Sequence, residues 1–174
     1  ICLEFARSLI FAKITNHRTL LMRNHRSLSK NVLTDLANEA ESVMNSNSLD
    51  EVRGHEGRAS AIYFQYFGGM FKGAVGKIFD MNGRQRRPPP DPINACLSMV
   101  YTILTHECVT ALSLSSLEPS IGAFHVSRPG RPALALDLME PFRPLIADSV
   151  TLLAFNRGEL TAGHFHNTSA GCLF

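Results

Sequence analysis

Between positions 125 and 140 the chain places an imidazole, His125, and two carboxylates, Asp137 and Glu140, in a segment otherwise dominated by Leu134, Leu136, Leu138 and Met139. Carboxylates and imidazole resist burial among apolar neighbours unless they are paired or bound to a cation, so this composition points to a divalent-metal site. The three-residue step from Asp137 to Glu140 projects both acids from nearly the same side of a helix, where they could share one ion. The same Asp-x-x-Glu pattern also has the form of a capping box, and Pro141 suits a first helical turn, so the local residues leave metal binding and capping level. Glu56, in RGHEGRASAIYFQYF, precedes the small residues Gly57 and Ala59, which let another backbone approach; its plainer reading is a solvated first-turn acid favoured by the helix dipole. His55, His164 and His166 are left out of the site, because an exposed or loop histidine usually binds nothing, and His17 and His25 are unassigned. Arg128 and Arg131 follow His125 in a Pro/Gly turn, and Arg84, Arg86 and Arg87 cluster in MNGRQRRPPPDP. Phosphate contacts use such clusters, although a solvated surface is the commoner fate of charge runs.

Helices must position these groups. Apolar residues from Leu3 to Met22 recur at steps of three and four, which predicts a long opening helix ending near residues 25–29. A second helix is expected over about residues 31–44, and a third over about 49–67 with Ser48 as its cap, before a glycine-containing stretch read as a loop. The triple proline at 88–90 stops any helix, whereas Asp91 is a favourable cap followed by Pro92 at the first helical position. The helix starting there is apolar on a broad face, and a last helix is expected over about residues 134–155. No strand alternation stands out. Five helices without a sheet define an all-α, irregular helical bundle in a single domain spanning residues 1–174.

The 174 residues are 45% hydrophobic and 18% charged, values of a globular fold rather than a disordered tail. Glu4, Arg7, Lys13 and Arg18 interrupt the apolar N-terminal stretch, so neither a membrane span nor an export signal is expected. Cys2, Cys96, Cys108 and Cys172 lie far apart, which argues against a zinc knuckle or a disulfide scaffold and makes a reducing cytoplasm the default. The start at Ile1 and the apolar end at Phe174 are read as cuts from something longer. Net charge is +2, but residues 1–30 carry six Lys or Arg against Glu4 alone, while residues 31–51 hold five acids and no base, so the first two helices are expected to neutralise each other partly.

HEGRASAIYF, RRPPPDPINACLSMVYTILTHE and GAFHVSRPGRPALALDLMEPFRPLIADSV, in this order, resemble the CRISPR-associated integrase family, the first Cas protein. The resemblance runs from FARSLIFAKITNHRTLL to FNRGEL and so covers nearly the whole chain. It implies the family's C-terminal helical catalytic domain without the N-terminal β-domain that builds the dimer. It implies a metal-dependent DNA endonuclease and integrase that inserts foreign DNA as new spacers into CRISPR arrays, by attack of a 3'-hydroxyl on a phosphodiester. Glu56, His125 and Glu140 then correspond to the ligands of Mg2+ or Mn2+, Asp137 to an additional acid that orients a ligand or water, and Arg87, Arg128 and Arg131 to positions near DNA. Pro141 departs from the more usual polar residue after the last acid. The implied partners are double-stranded DNA (prespacer and CRISPR repeat), a second copy of the chain, the small second Cas protein, and a fused or associated Cas4-like or reverse-transcriptase domain, in a prokaryotic cytoplasm. Two other readings stay open: a catalytically silent helical DNA-binding or assembly module with salt-sensitive but metal-independent binding, and a plain interaction domain with an exposed apolar patch.

Overall fold

The structure, a computed structural model, describes residues 1–73, 75–79, 84–85, 88–169 and 171–174. Helix α1 (Cys2–Asn24) turns Ala6, Leu9, Ile10, Ile14 and Leu21 inward, and the same stripe buries Lys13 and His17. Helix α2 (Lys30–Asn45) starts where the Ser29 hydroxyl accepts from the Asn31 N–H (3.3 Å), and α3 (Leu49–Phe67) where Ser48 accepts from the Glu51 N–H (3.2 Å). These caps satisfy amides that the first helical turn leaves without partners. Each of the three helices packs on the other two. Two short 3₁₀ turns, Gly68–Met70 and Val75–Ile78, occupy part of the stretch expected to be a loop.

Asp91 caps α4 (Pro92–Leu114) through the Asn94 N–H at 2.8 Å, with Pro92 opening the helix. Its Ile93, Leu97, Leu104 and Leu112 enter the core, each worth ~1.5–3 kcal/mol of apolar burial. By length and composition α4 is also apolar enough to cross a membrane, the one such helix among the described residues.

Three expectations are corrected. The single helix over 134–155 is instead α5 (Ala133–Met139), a π-helical segment (Arg143–Asp148) and α6 (Ser149–Asn156). Pro141 and Pro144 have no N–H to donate, and the widened turn accommodates them, with the Pro141 carbonyl accepting from the Asn16 side chain (2.9 Å) and the Pro144 carbonyl from the Ser149 hydroxyl (2.8 Å). A hairpin is present: β1 (His166–Thr168) pairs antiparallel with β2 (Gly171–Leu173), Asn167 opposite Cys172. Three-residue strands are too short to leave an alternation in sequence. The hairpin closes on the proline run, the Cys172 N–H donating to the Pro89 carbonyl (2.8 Å), and Gly171, at φ +104°, leaves no space for a Cβ beside Pro88. Finally, no ion pair joins α1 to α2 among the described residues. Arg7 donates to the Ser46 carbonyl and Arg18 to that of Leu33 (3.0 Å), so basic side chains of α1 cap backbone carbonyls of its neighbour.

The π-helical segment packs on both α1 and α4. It therefore brings the end of α5 to the place where the two groups of helices meet.

Candidate active site

Asp137 sits in the middle of α5 and is fully buried, which overturns the capping reading. Its carboxylate instead grips the preceding loop: Oδ2 accepts from the backbone N–H of Ala123 (2.6 Å) and Phe124 (2.9 Å), and Oδ1 from that of His125 (2.8 Å). Oδ1 also lies 2.7 Å from His125 Nδ1. Burial pushes the Asp137 carboxyl up, but the His125 ring and the three amides outweigh it and hold the group below its usual value. The ring's other nitrogen, Nε2, faces Glu140 Oε1 at 3.9 Å.

Glu140 follows α5 and is buried between two cations. Arg143 Nε lies 3.1 Å from its Oε1, and Lys13 Nζ 2.7 Å from its Oε2. Burial opposes ionisation, yet Lys13 and Arg143 lower this carboxyl to about 2. Glu140 Oε2 is buried, and the Lys13 ammonium at 2.7 Å is the charge set against it. The same Lys13 ammonium pairs with Glu56 Oε1, which also accepts from the Ser60 hydroxyl (2.9 Å). Glu56 from α3 and Glu140 from the end of α5 thus reach one nitrogen of α1. Glu56 and Glu140 meet through Lys13, and His125 borders Glu140 on the other side. Among the described residues no three acidic, histidine or cysteine side chains stand close enough to hold an ion in this arrangement.

Behind Arg143 runs a second buried set. The Arg143 guanidinium lies over the Tyr101 ring (4.7 Å), and Tyr101 and Tyr63 both donate their hydroxyls to Asp148, at 2.6 and 2.9 Å. Burial lifts Asp148 to about 6 against the pull of the two hydroxyls and of Arg143. Tyr63 also stacks on His17 (3.8 Å), whose imidazole burial and Lys13 keep well below its ordinary value. Lys13, Arg143 and Asp148 escaped the sequence reading. For Lys13 a signal existed, since it interrupts an otherwise apolar stripe of α1 at the core spacing.

The other predicted residues separate. Arg128 is exposed and Arg131 half-buried in the turn after His125, and neither makes an ion pair among the described residues. Arg87 lies outside the described residues. His55 turns away from Glu56 to pair with Glu39 of α2 (2.6 Å).

The profile described as CRISPR associated protein Cas1 matches residues 1–174. The chain belongs to the Cas1 family. It is 46% identical over 179 residues to a CRISPR-associated exonuclease Cas4/endonuclease Cas1 fusion of Geobacter sulfurreducens, covering 98% of this chain and 32% of that relative. Among solved structures it is similar to a casposase bound to integration product (TM-score 0.84, 24% identity, 99% of this chain and 48% of that one). It also resembles a chain of a Cas6-RT-Cas1–Cas2 complex (TM-score 0.86, 28% identity, 99% of this chain and 19% of that one). The chain spans about a third to a half of the length of curated Cas1 relatives such as the fusion and a Rhodospirillum rubrum Cas1. The all-α Cas1 helical fold stands in line with the architecture expected from sequence.

Proposed function

We propose that this chain is the catalytic helical portion of a metal-dependent DNA endonuclease and integrase, acting in CRISPR spacer acquisition in a prokaryotic cytoplasm. The observation that carries the reading is the meeting of Glu56 and Glu140 at one nitrogen with His125 Nε2 turned toward the same carboxylate. Two carboxylates and an imidazole, without thiolate, suit Mg2+ or Mn2+. The fit is supported by the buried Glu140 Oε2, whose contact in the ion-free protein is a cation, Lys13, and by the Asp137 tie to His125 Nδ1, which leaves Nε2 as the ring atom able to act as a ligand. Glu56, His125 and Glu140 would hold the ion, which when bound polarises a phosphoryl oxygen and offsets charge on the attacking or leaving oxygen.

The protein's own part is positional. Asp137 fixes the rotation and tautomer of His125 through its ring and three backbone amides. Arg143 keeps Glu140 ionised and turned inward. Arg128 and Arg131, which make no ion pair among the described residues and lie in the turn beyond His125, are suited to contact phosphates of the bound strand, and Arg87 is assigned the same role. The 3'-hydroxyl of an incoming strand attacks a phosphodiester in integration, and water takes its place in nicking. The second copy, the small second Cas protein and a Cas4-like or reverse-transcriptase module remain the proposed partners, in keeping with the fusion and complex relatives named above.

The test is Mn2+-dependent nicking of branched DNA by the full chain. Glu140→Ala and His125→Ala are expected to lower the rate at least ~100-fold, the cost typical of losing a metal-bound or transition-state contact. Wild-type rates in either variant, with Mn2+ still required, would refute the assignment. Salt-sensitive binding that ignores Mn2+, with no nicking, would favour the silent DNA-binding module.

A further inference from the structure

The Lys13 side chain is 8% exposed and its ammonium contacts Glu56 Oε1 and Glu140 Oε2 together. Nothing in local sequence requires this. A core lysine is costly, and α1 could close its stripe with a leucine at that position; the buried charge persists because two carboxylates from different elements need an opposite charge between them. The position it takes is the one a cation shared by those same oxygens would need. Two cations cannot occupy the junction together, because at that separation they would repel strongly in a poorly screened site.

We infer that Lys13 is a built-in placeholder cation, which holds Glu56 and Glu140 together in the ion-free protein and must leave the junction when a divalent ion binds. The inference rests on the metal reading of the same site. Lys13 is a positioning residue in this account. Its loss removes the competitor for the carboxylates, so the ion binds more tightly while the ion-free fold becomes weaker. A merely structural lysine predicts the reverse, since a looser site binds its ion less well.

Two measurements decide. The first is Mn2+ affinity of the full chain, followed by the electron paramagnetic resonance signal of free Mn2+, for wild type, Lys13→Met and Lys13→Gln. Both variants are expected to bind about tenfold more tightly, a coupling of ordinary size between competing occupants. The second uses the wild-type protein and so survives a variant that fails to fold: reductive methylation read by mass spectrometry. Lys30, Lys72 and Lys77 are exposed and serve as internal references, completing the lysines of the chain. Lys13 should be protected without Mn2+ and methylated at the reference level with saturating Mn2+. If Mn2+ binds wild type but Lys13 stays protected and the variants bind no more tightly, the placeholder is overturned and the metal site stands. If Mn2+ binds none of the three proteins, both fall.

Discussion

Replacing Asp148 by asparagine isolates the energetic cost of the carboxylate beneath the site. Asp148 has no exposed surface, and burial lifts it from its ordinary 3.8 to about 6 although Tyr101 and Tyr63 both donate to it. A carboxyl raised in the folded state binds its proton more readily there than in the unfolded chain, so folding is favoured at low pH and this contribution is lost as pH rises from 3.8 through about 6. At about 1.36 kcal/mol per pH unit the full penalty above that range is ~3 kcal/mol. Because the unfolded chain is already largely ionised at about pH 4.5, about 2 kcal/mol of it appears between about pH 4.5 and 7.5. The amide of the variant does not titrate, and any constant cost of exchanging one tyrosine hydrogen bond cancels when the same two proteins are compared across pH. Urea unfolding of wild type and Asp148→Asn at several pH values reads the difference directly. The variant should gain about 2 kcal/mol relative to wild type over that interval. A difference that stays flat would refute the reading that burial of the Asp148 carboxylate destabilises the folded chain at neutral pH.

Two further outcomes test the surroundings of the site. A Cβ at Gly122 would lie 2.7 Å from the His125 carbonyl and 2.8 Å from Ala133 Cβ, atoms too firmly placed to yield. Gly122→Ala should therefore cost ~1–3 kcal/mol in urea unfolding and slow nicking by displacing His125. Glu140 is lowered from 4.5 to about 2, so the stability it supplies is present above 4.5 and fades as pH falls through about 2. The advantage of wild type over Glu140→Gln should shrink by about 2 kcal/mol between about pH 6 and pH 3, and a pH-independent difference would show that Lys13 and Arg143 do not set the ionisation of this acid.

Much of this protein is readable in one dimension because local rules acted alone. The caps at Ser48 and Asp91 and the apolar spacing of α1 to α4 need only neighbours in sequence, and they appear where expected. The break after Met139 was half-legible: Pro141 and Pro144 announced trouble, but the sequence does not say whether a helix kinks, ends or widens, and here Asn16 from α1 helps decide it. Asp137 was legible as a chemical residue and ambiguous as to role, since capping and ring-holding use the same carboxylate. Its partners, the amides of residues 123–125, are backbone groups without any residue signature.

What the sequence alone determined is an inventory: helices with one apolar face, and an imidazole and acids too polar to be buried idle. Only the tertiary structure decided which of those acids meet. Glu56 and Glu140 are brought together because the π-helical segment packs on both α1 and α4, and Lys13 lies between them because its position on α1 faces that junction. Distance between residues far apart in the chain is set by packing of whole elements, and no local spacing encodes it.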